Sequence, residues 1–255
     1  MSMRQFSVVT HYGKKSDPFA LWIRDIQREI KSALGDHFRQ YHLDQIHCTI
    51  IGLEGYKSGD GVLNRYTHKR IKFEQIFQYI KTFPRTPIQI GGFKREGAYM
   101  LKSRDKTLYE RSFCIGDDGS VVVIGWPKPD IQSDAKTMDQ IRRDFLEFNV
   151  CHKYHALIWS NTKNEEGRRL LKDNDIFFVI GKVVLNRIAQ ERVKMIEKNI
   201  REFLEGLNDG IEIVVQPASI SVVGYIDPQL PLDSSFSIDL NSGNPVDAIS
   251  KGYPP

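Results

Sequence analysis

The chain has no apolar run near the roughly 20 residues that a membrane-spanning helix needs. Its start, Met1-Ser2-Met3-Arg4, leads straight into a short strand pattern, so neither a membrane span nor a signal peptide is expected. Only three of its 255 residues are cysteine. Cys48, Cys114 and Cys151 are an odd set with no close pairing, which argues against a disulfide framework and for a reducing, cytoplasmic setting. An excess of one charge is also missing. The net charge of +4 suits an anionic ligand, but without clustered basic residues it is no nucleic-acid footprint by itself. The glycine patterns of dinucleotide and P-loop sites are absent. Cys151-His152 with His155 has no second cluster of ligand spacing, so no metal and no cofactor are expected.

What is present is an ordinary globular composition, 40% hydrophobic and 27% charged, enough for one large core. Phe6–Thr10 alternates as a strand. Ser16-Asp17-Pro18 starts a helix whose apolar residues, Phe19, Ile23, Ile26 and Ile30 among them, recur at helical spacing until Gly35. A strand follows near Ile46–Gly52, then a Gly- and Lys-rich loop over 57–72, and a second helix with Phe73, Ile76, Phe77 and Ile80 on one face. Strands at 88–90 and 121–124 flank a hairpin around Asp117-Asp118-Gly119. A helix through Met138, Ile141 and Phe145 precedes a candidate strand at 154–159. Beyond it come a buried strand near 176–185, a last helix from Val193 to Leu207, and strands at 211–215 and 220–225. This alternation, without those glycine patterns, argues for an α+β or α/β sandwich with flanking helices. One domain is expected over residues 1–226, followed by an irregular tail over 227–255 rich in Pro, Ser, Asp and Gly.

The chemistry concentrates in Ile46-His47-Cys48-Thr49-Ile50-Ile51-Gly52. Successive strand side chains alternate faces, so His47 and Thr49 point one way while Ile46, Cys48 and Ile50 point the other. An imidazole and a hydroxyl among apolar neighbours have a desolvation cost unless both are used. Together they can donate and accept protons around one anionic group, the equipment of phosphoester chemistry.

His-x-Thr on a strand that follows an N-terminal strand and helix resembles the first signature of the two-histidine (2H) phosphoesterase superfamily, which includes RNA ligase-like proteins and cyclic phosphodiesterases. The resemblance implies a two-lobed antiparallel fold in which each lobe supplies one His-x-Thr strand to a central cleft. It also implies metal-independent acid/base work by two imidazoles on RNA or nucleotide phosphodiesters such as 2′,3′-cyclic phosphates.

By element order the second histidine is His155, but it reads His155-Ala156-Leu157 and lacks the hydroxyl at the third position. A second candidate, Ser219-Ile220-Ser221-Val222-Val223-Gly224, repeats the rhythm of the first motif without its histidine. General acid/base work needs an ionisable group, which favours His155. The expected catalytic pair is therefore His47 and His155, with Thr49, Ser219, Ser221 and Tyr12 as substrate-binding residues. Tyr12, Tyr56, Trp126 and Trp159 are candidates to stack on a base. If the Ser219 strand is the true partner, the chain is instead a catalytically degenerate binding module for RNA or nucleotides.

Overall fold

A computed structural model describes residues 4–97, 99, 103, 106–128, 137–151, 173–207, 209–241 and 244–254. The fold is α+β, with curled antiparallel sheets and helices packed on them. No helix among the described residues is long and apolar enough to cross a membrane.

The first sheet is built around β1 (Gln5–Thr10), buried along its whole length because it is flanked on both sides. One flank is β3 (Cys48–Gly52). The other is β11 (Ile220–Tyr225), with β12 (Phe236–Ile238) beyond it. The second sheet runs in the order β10 (Ile211–Val215), β6 (Thr86–Ile90), β8 (Ser120–Pro127), β9 (Ile176–Val183), β2 (Phe38–Gln40), and β7 (Phe113–Ile115) also pairs with β8. β7 and β8 form the hairpin that Asp117-Asp118-Gly119 indicates; Gly119 turns it at φ 81°.

Helix α1 (Asp17–Leu34) has proline in its first turn and ends at Gly35, whose φ of 55° is open to glycine at no steric cost. Its buried residues, Phe19, Ile23, Ile26, Gln27, Ile30 and Leu34, form one stripe. That stripe, Phe6 and Val8 of β1, and Phe113, Val121 and Phe178 of the second sheet belong to one continuous core. Gln27 is polar inside that stripe because its Nε2 satisfies the carbonyls of Tyr41 and Ile180, both at 2.9 Å. Helix α2 (Phe73–Lys81) closes the core from another side. A single turn, α3 (Leu108–Arg111), precedes β7, and α4 (Met138–Asp144) precedes the segment that holds His155.

Three features differ from the sequence expectation. Part of the stretch read as a loop is a hairpin, β4 (Gly55–Ser58) and β5 (Gly61–Asn64), turned at Gly59 with φ 59°. The segment after Asp227 is not irregular throughout. It contributes β12 and helix α6 (Pro245–Gly252), and Ile249 and Tyr253 are 0% and 2% exposed. Helix α5 (Gln190–Gly206) matches the last expected helix, but the strand before it stops at Val183. The candidate strand at 154–159, with Tyr154, His155, Leu157 and Trp159, lies outside the described residues.

Tyr253 donates its hydroxyl to the carbonyl of Leu53 at 2.5 Å in a buried setting, tying the chain end to the residue after β3. Tyr253→Phe leaves that carbonyl unpaired. It is expected to cost about 1 kcal/mol in urea unfolding at constant m; an unchanged midpoint would show that the bond is immaterial.

Candidate functional site

β1 and β3 pair in antiparallel register, Thr10 with Cys48 and Val9 with Thr49, but then Val8 faces Ile51, so Ile50 is the extra residue of a bulge. The bulge lets both Ile50 and Ile51 enter the core, each 1% exposed. Thr49 turns to the opposite, outer face with Val9. β3 itself begins at Cys48, so His47 sits just before the strand rather than within it. The alternation persists across that boundary. Ile46 and Cys48 are fully buried, whereas His47 and Thr49 are partly exposed.

The turn before the motif orients the imidazole. Leu43–Gln45 forms a short 3-10 helix capped by His42, whose Nδ1 accepts from the N–H of Asp44. The carbonyl of Gln45 then lies 2.7 Å from Nδ1 of His47. A carbonyl can only accept, so Nδ1 holds the proton and Nε2 of the neutral ring carries the lone pair. Nε2 has no partner among the described residues and is not enclosed. Burial pushes the His47 pKa down to about 4. The Gln45 carbonyl opposes this and the Lys15 ammonium adds to it. His47 is therefore neutral at pH 7, set as a proton acceptor at Nε2. An anion bound beside it would counter Lys15 and raise its basicity.

The hydroxyl of Thr49, on the same face, also has no hydrogen-bond partner among the described residues. Tyr12 packs edge-on against His47, with ring centroids 6.0 Å apart, and burial raises its hydroxyl pKa. Ser221 pairs across Val9 from Thr49, so the two hydroxyls share one face two strands apart. That spacing is about 10 Å between backbones. It is wider than two short side chains span around one phosphate, so they suit different parts of a ligand. Ser219 sits in the 3-10 turn Pro217–Ser219. Its Oγ accepts from the N–H of Gln216 at 3.0 Å and lies 3.1 Å from Oγ1 of Thr10, a fully buried residue. Its hydroxyl is thus committed to capping that turn. Trp126 is fully enclosed in a cluster with Phe93, and Tyr56 lies beside His68. His155 lies outside the described residues.

Neighbours that carry no motif of their own complete the site. Gln45 orients His47 through its carbonyl, and its side-chain Nε2 donates to the carbonyl of Gln229 at 2.9 Å. Tyr41 donates to Oε1 of the same Gln229, also at 2.9 Å. Those bonds pin a strap over the outer face, where Leu230, 1% exposed, packs on Val9, Val223 and Tyr225 beside Tyr12. Leu230 holds φ 51°, a left-handed conformation unfavourable for a side chain of its shape. Nothing in the Pro-rich composition of 227–232 signals this plug. Lys15 could have been noticed from Gly13-Lys14-Lys15-Ser16 between a strand and a helix.

The two ends of the segment holding His155 are tied to β5 and, through Arg142, to β3. The carbonyl of Cys151 accepts from Nδ2 of Asn64, which also donates to the carbonyl of Glu54 just past β3. The carbonyl of Asp173 accepts from Arg142, whose guanidinium also reaches the carbonyls of Ile50 and Thr49. Among the described residues no group of His, Cys, Asp and Glu is arranged to hold a metal ion. No model of a known protein family matches the chain, and no curated protein matches it.

Proposed function

We propose that the protein is a metal-independent phosphodiesterase of the two-histidine type, acting on 2′,3′-cyclic phosphates or related RNA and nucleotide phosphodiesters. The observation that carries this reading is His47, a neutral imidazole with its tautomer fixed by Gln45 and Nε2 free, beside the unpartnered hydroxyl of Thr49.

In the proposed reaction His47 Nε2 removes a proton from water as it attacks phosphorus. The bond from phosphorus to one ribose oxygen breaks, and that oxygen takes a proton from His155. Thr49 donates to a phosphoryl oxygen, where negative charge grows in the transition state. Element order assigns the acid to His155, and the shared hold of Arg142 on Asp173 and β3 is compatible with that role.

A second reading, a binding module that has lost turnover, draws on the Ser219 hydroxyl being spent on its own turn and on Leu157 in the place of a hydroxyl. Assays with 2′,3′-cyclic nucleotides and with RNA ending in a cyclic phosphate separate the two. The enzyme reading expects turnover that falls on the order of 10²-fold in His47→Gln and comparably in His155→Gln, with the thermal midpoint of each variant retained. EDTA is expected to leave the rate unchanged. Loss in EDTA restored by zinc or manganese overturns the mechanism, and binding without turnover favours the module.

A further inference from the structure

A groove of about 300 Å³ opens where β1 passes into α1, bordered by Lys14, Lys15, Asp17, Arg24, Leu43 and Asp44. We infer that it binds a backbone phosphodiester of an oligonucleotide whose reacting phosphate sits at His47. The preferred ligand is then a strand, not a mononucleotide. This deepens the reading of His47 given above and rests on it.

The first argument is charge. Cations on the same helix are spent on carboxylates: Arg28 on Asp25 and Lys31 on Asp36. Lys14, Lys15 and Arg24 make no ion pair among the described residues, yet they converge on one groove. Lys15 is only 6% exposed, and its ammonium has one partner, the carbonyl of Gly13 at 2.9 Å. An ammonium carries three donors, so two remain for a ligand. A cation held out of water with so few partners is costly unless an anion joins it. Asp17 and Asp44 on the rim leave the lining with a single net positive charge. That balance suits a phosphodiester, with one negative charge, better than a terminal phosphate with close to two.

The second argument is continuity. Leu43 and Asp44 of the groove wall belong to the same short helix whose last residue, Gln45, holds His47. The N–H of Gly13 donates to the carbonyl of Asp44 at 2.8 Å, locking the Lys14-Lys15 loop onto that turn. The groove and the imidazole thus share one rigid wall. Lys15 acts electrostatically on His47. A strand with one phosphate at His47 can lay another against Lys14, Lys15 and Arg24.

The test uses the whole protein, a fluorescent hexaribonucleotide ending in a 2′,3′-cyclic phosphate, and the matching cyclic mononucleotide. Native protein is expected to prefer the hexanucleotide at least tenfold in low salt. In the doubly charge-reversed Lys14→Glu/Arg24→Glu variant, both side chains being exposed, that preference should fall about tenfold. The slope of log K against log salt should become shallower by about 0.7 for each phosphate that the variant no longer neutralises. Equal affinity for the two ligands in native protein, or a preference unchanged in the variant, overturns the groove. Turnover with an unchanged preference defeats the groove alone. Hexanucleotide binding that depends on Lys14 and Arg24 without any turnover defeats the His47 reading and upholds the groove.

Discussion

Replacing Arg142 by methionine is expected to destabilise the protein by about 3–5 kcal/mol, the loss typical of removing one member of a buried charged network. Arg142 is 2% exposed on α4, and its guanidinium is fully engaged. Nε donates to the carbonyl of Ile50 at 3.0 Å, Nη1 to that of Asp173 at 2.8 Å, and Nη2 to those of Asp175 at 2.9 Å and Thr49 at 3.4 Å. The Asp173 carboxylate adds an ion pair at 3.3 Å. β3 is the edge strand of its sheet, so its outward carbonyls have no strand to pair with, and one planar fork satisfies them instead. Methionine fills much of the volume but strands these acceptors, each a desolvated polar group. Lysine keeps the charge and loses the fork, so Arg142→Lys should recover only part of the stability. Urea unfolding of the three proteins reads this directly, and a loss below about 1 kcal/mol for methionine would show that water takes over the bonds. The same guanidinium fixes the backbone of Thr49, so turnover should fall in Arg142→Lys even where the protein remains fully folded.

Arg142 also marks the boundary of what the sequence discloses. The periodicity of Met138, Ile141 and Phe145 makes the helix legible, and Arg142 stands inside that apolar stripe, where a charge signals a buried partner. No spacing rule names the partner, because four of its five acceptors are backbone carbonyls, two from β3 and two from the stretch just before β9. His47 and Thr49 were legible for the opposite reason: strand alternation is local, and it survives even though His47 lies outside the paired strand. The β4–β5 hairpin was not legible. Gly55-Tyr56-Lys57-Ser58 has no apolar alternation, and its pairing is fixed by the turn at Gly59 and by docking against the chain end. Ser219 reads like His47 in rhythm, yet Pro217 starts a 3-10 turn that rotates its hydroxyl toward Thr10. The helix in the tail is not legible because it is short and buries only Ile249, too little for a helical apolar repeat to stand out.

Acidification from pH 7 to pH 5 is expected to remove about 4 kcal/mol of stability, through two histidines on the loops beside α1. His11 and His47 are both pushed down to about 4. For His11 the causes are burial and then Lys15, opposed by a bond to the Val214 backbone. Its ring packs between Phe19 and Phe178, and its Nε2 is buried without a partner. Unfolded, each imidazole takes up a proton near its ordinary 6.5; folded, each resists until about pH 4. The unfolded chain therefore binds more protons across that window, and stability present above pH 6.5 is lost as pH falls toward 4. One and a half pH units below 6.5 corresponds to about 2 kcal/mol for each ring. Lys15, lowered to about 8 by burial despite Asp44, is charged in both states below pH 7 and adds nothing to the slope. The lowered carboxyls Glu110 and Asp118 act mainly below pH 5. The check is urea unfolding at pH 7 and pH 5 for native protein and for His11→Gln/His47→Gln, which should lose most of the difference. A native protein equally stable at both values would mean that both rings protonate in place. In that event the His47 pKa would lie near its ordinary 6.5, where the ring is still mostly neutral at pH 7 and can serve as base or as acid. Burial would then not set its role, and the pH dependence of turnover would assign it.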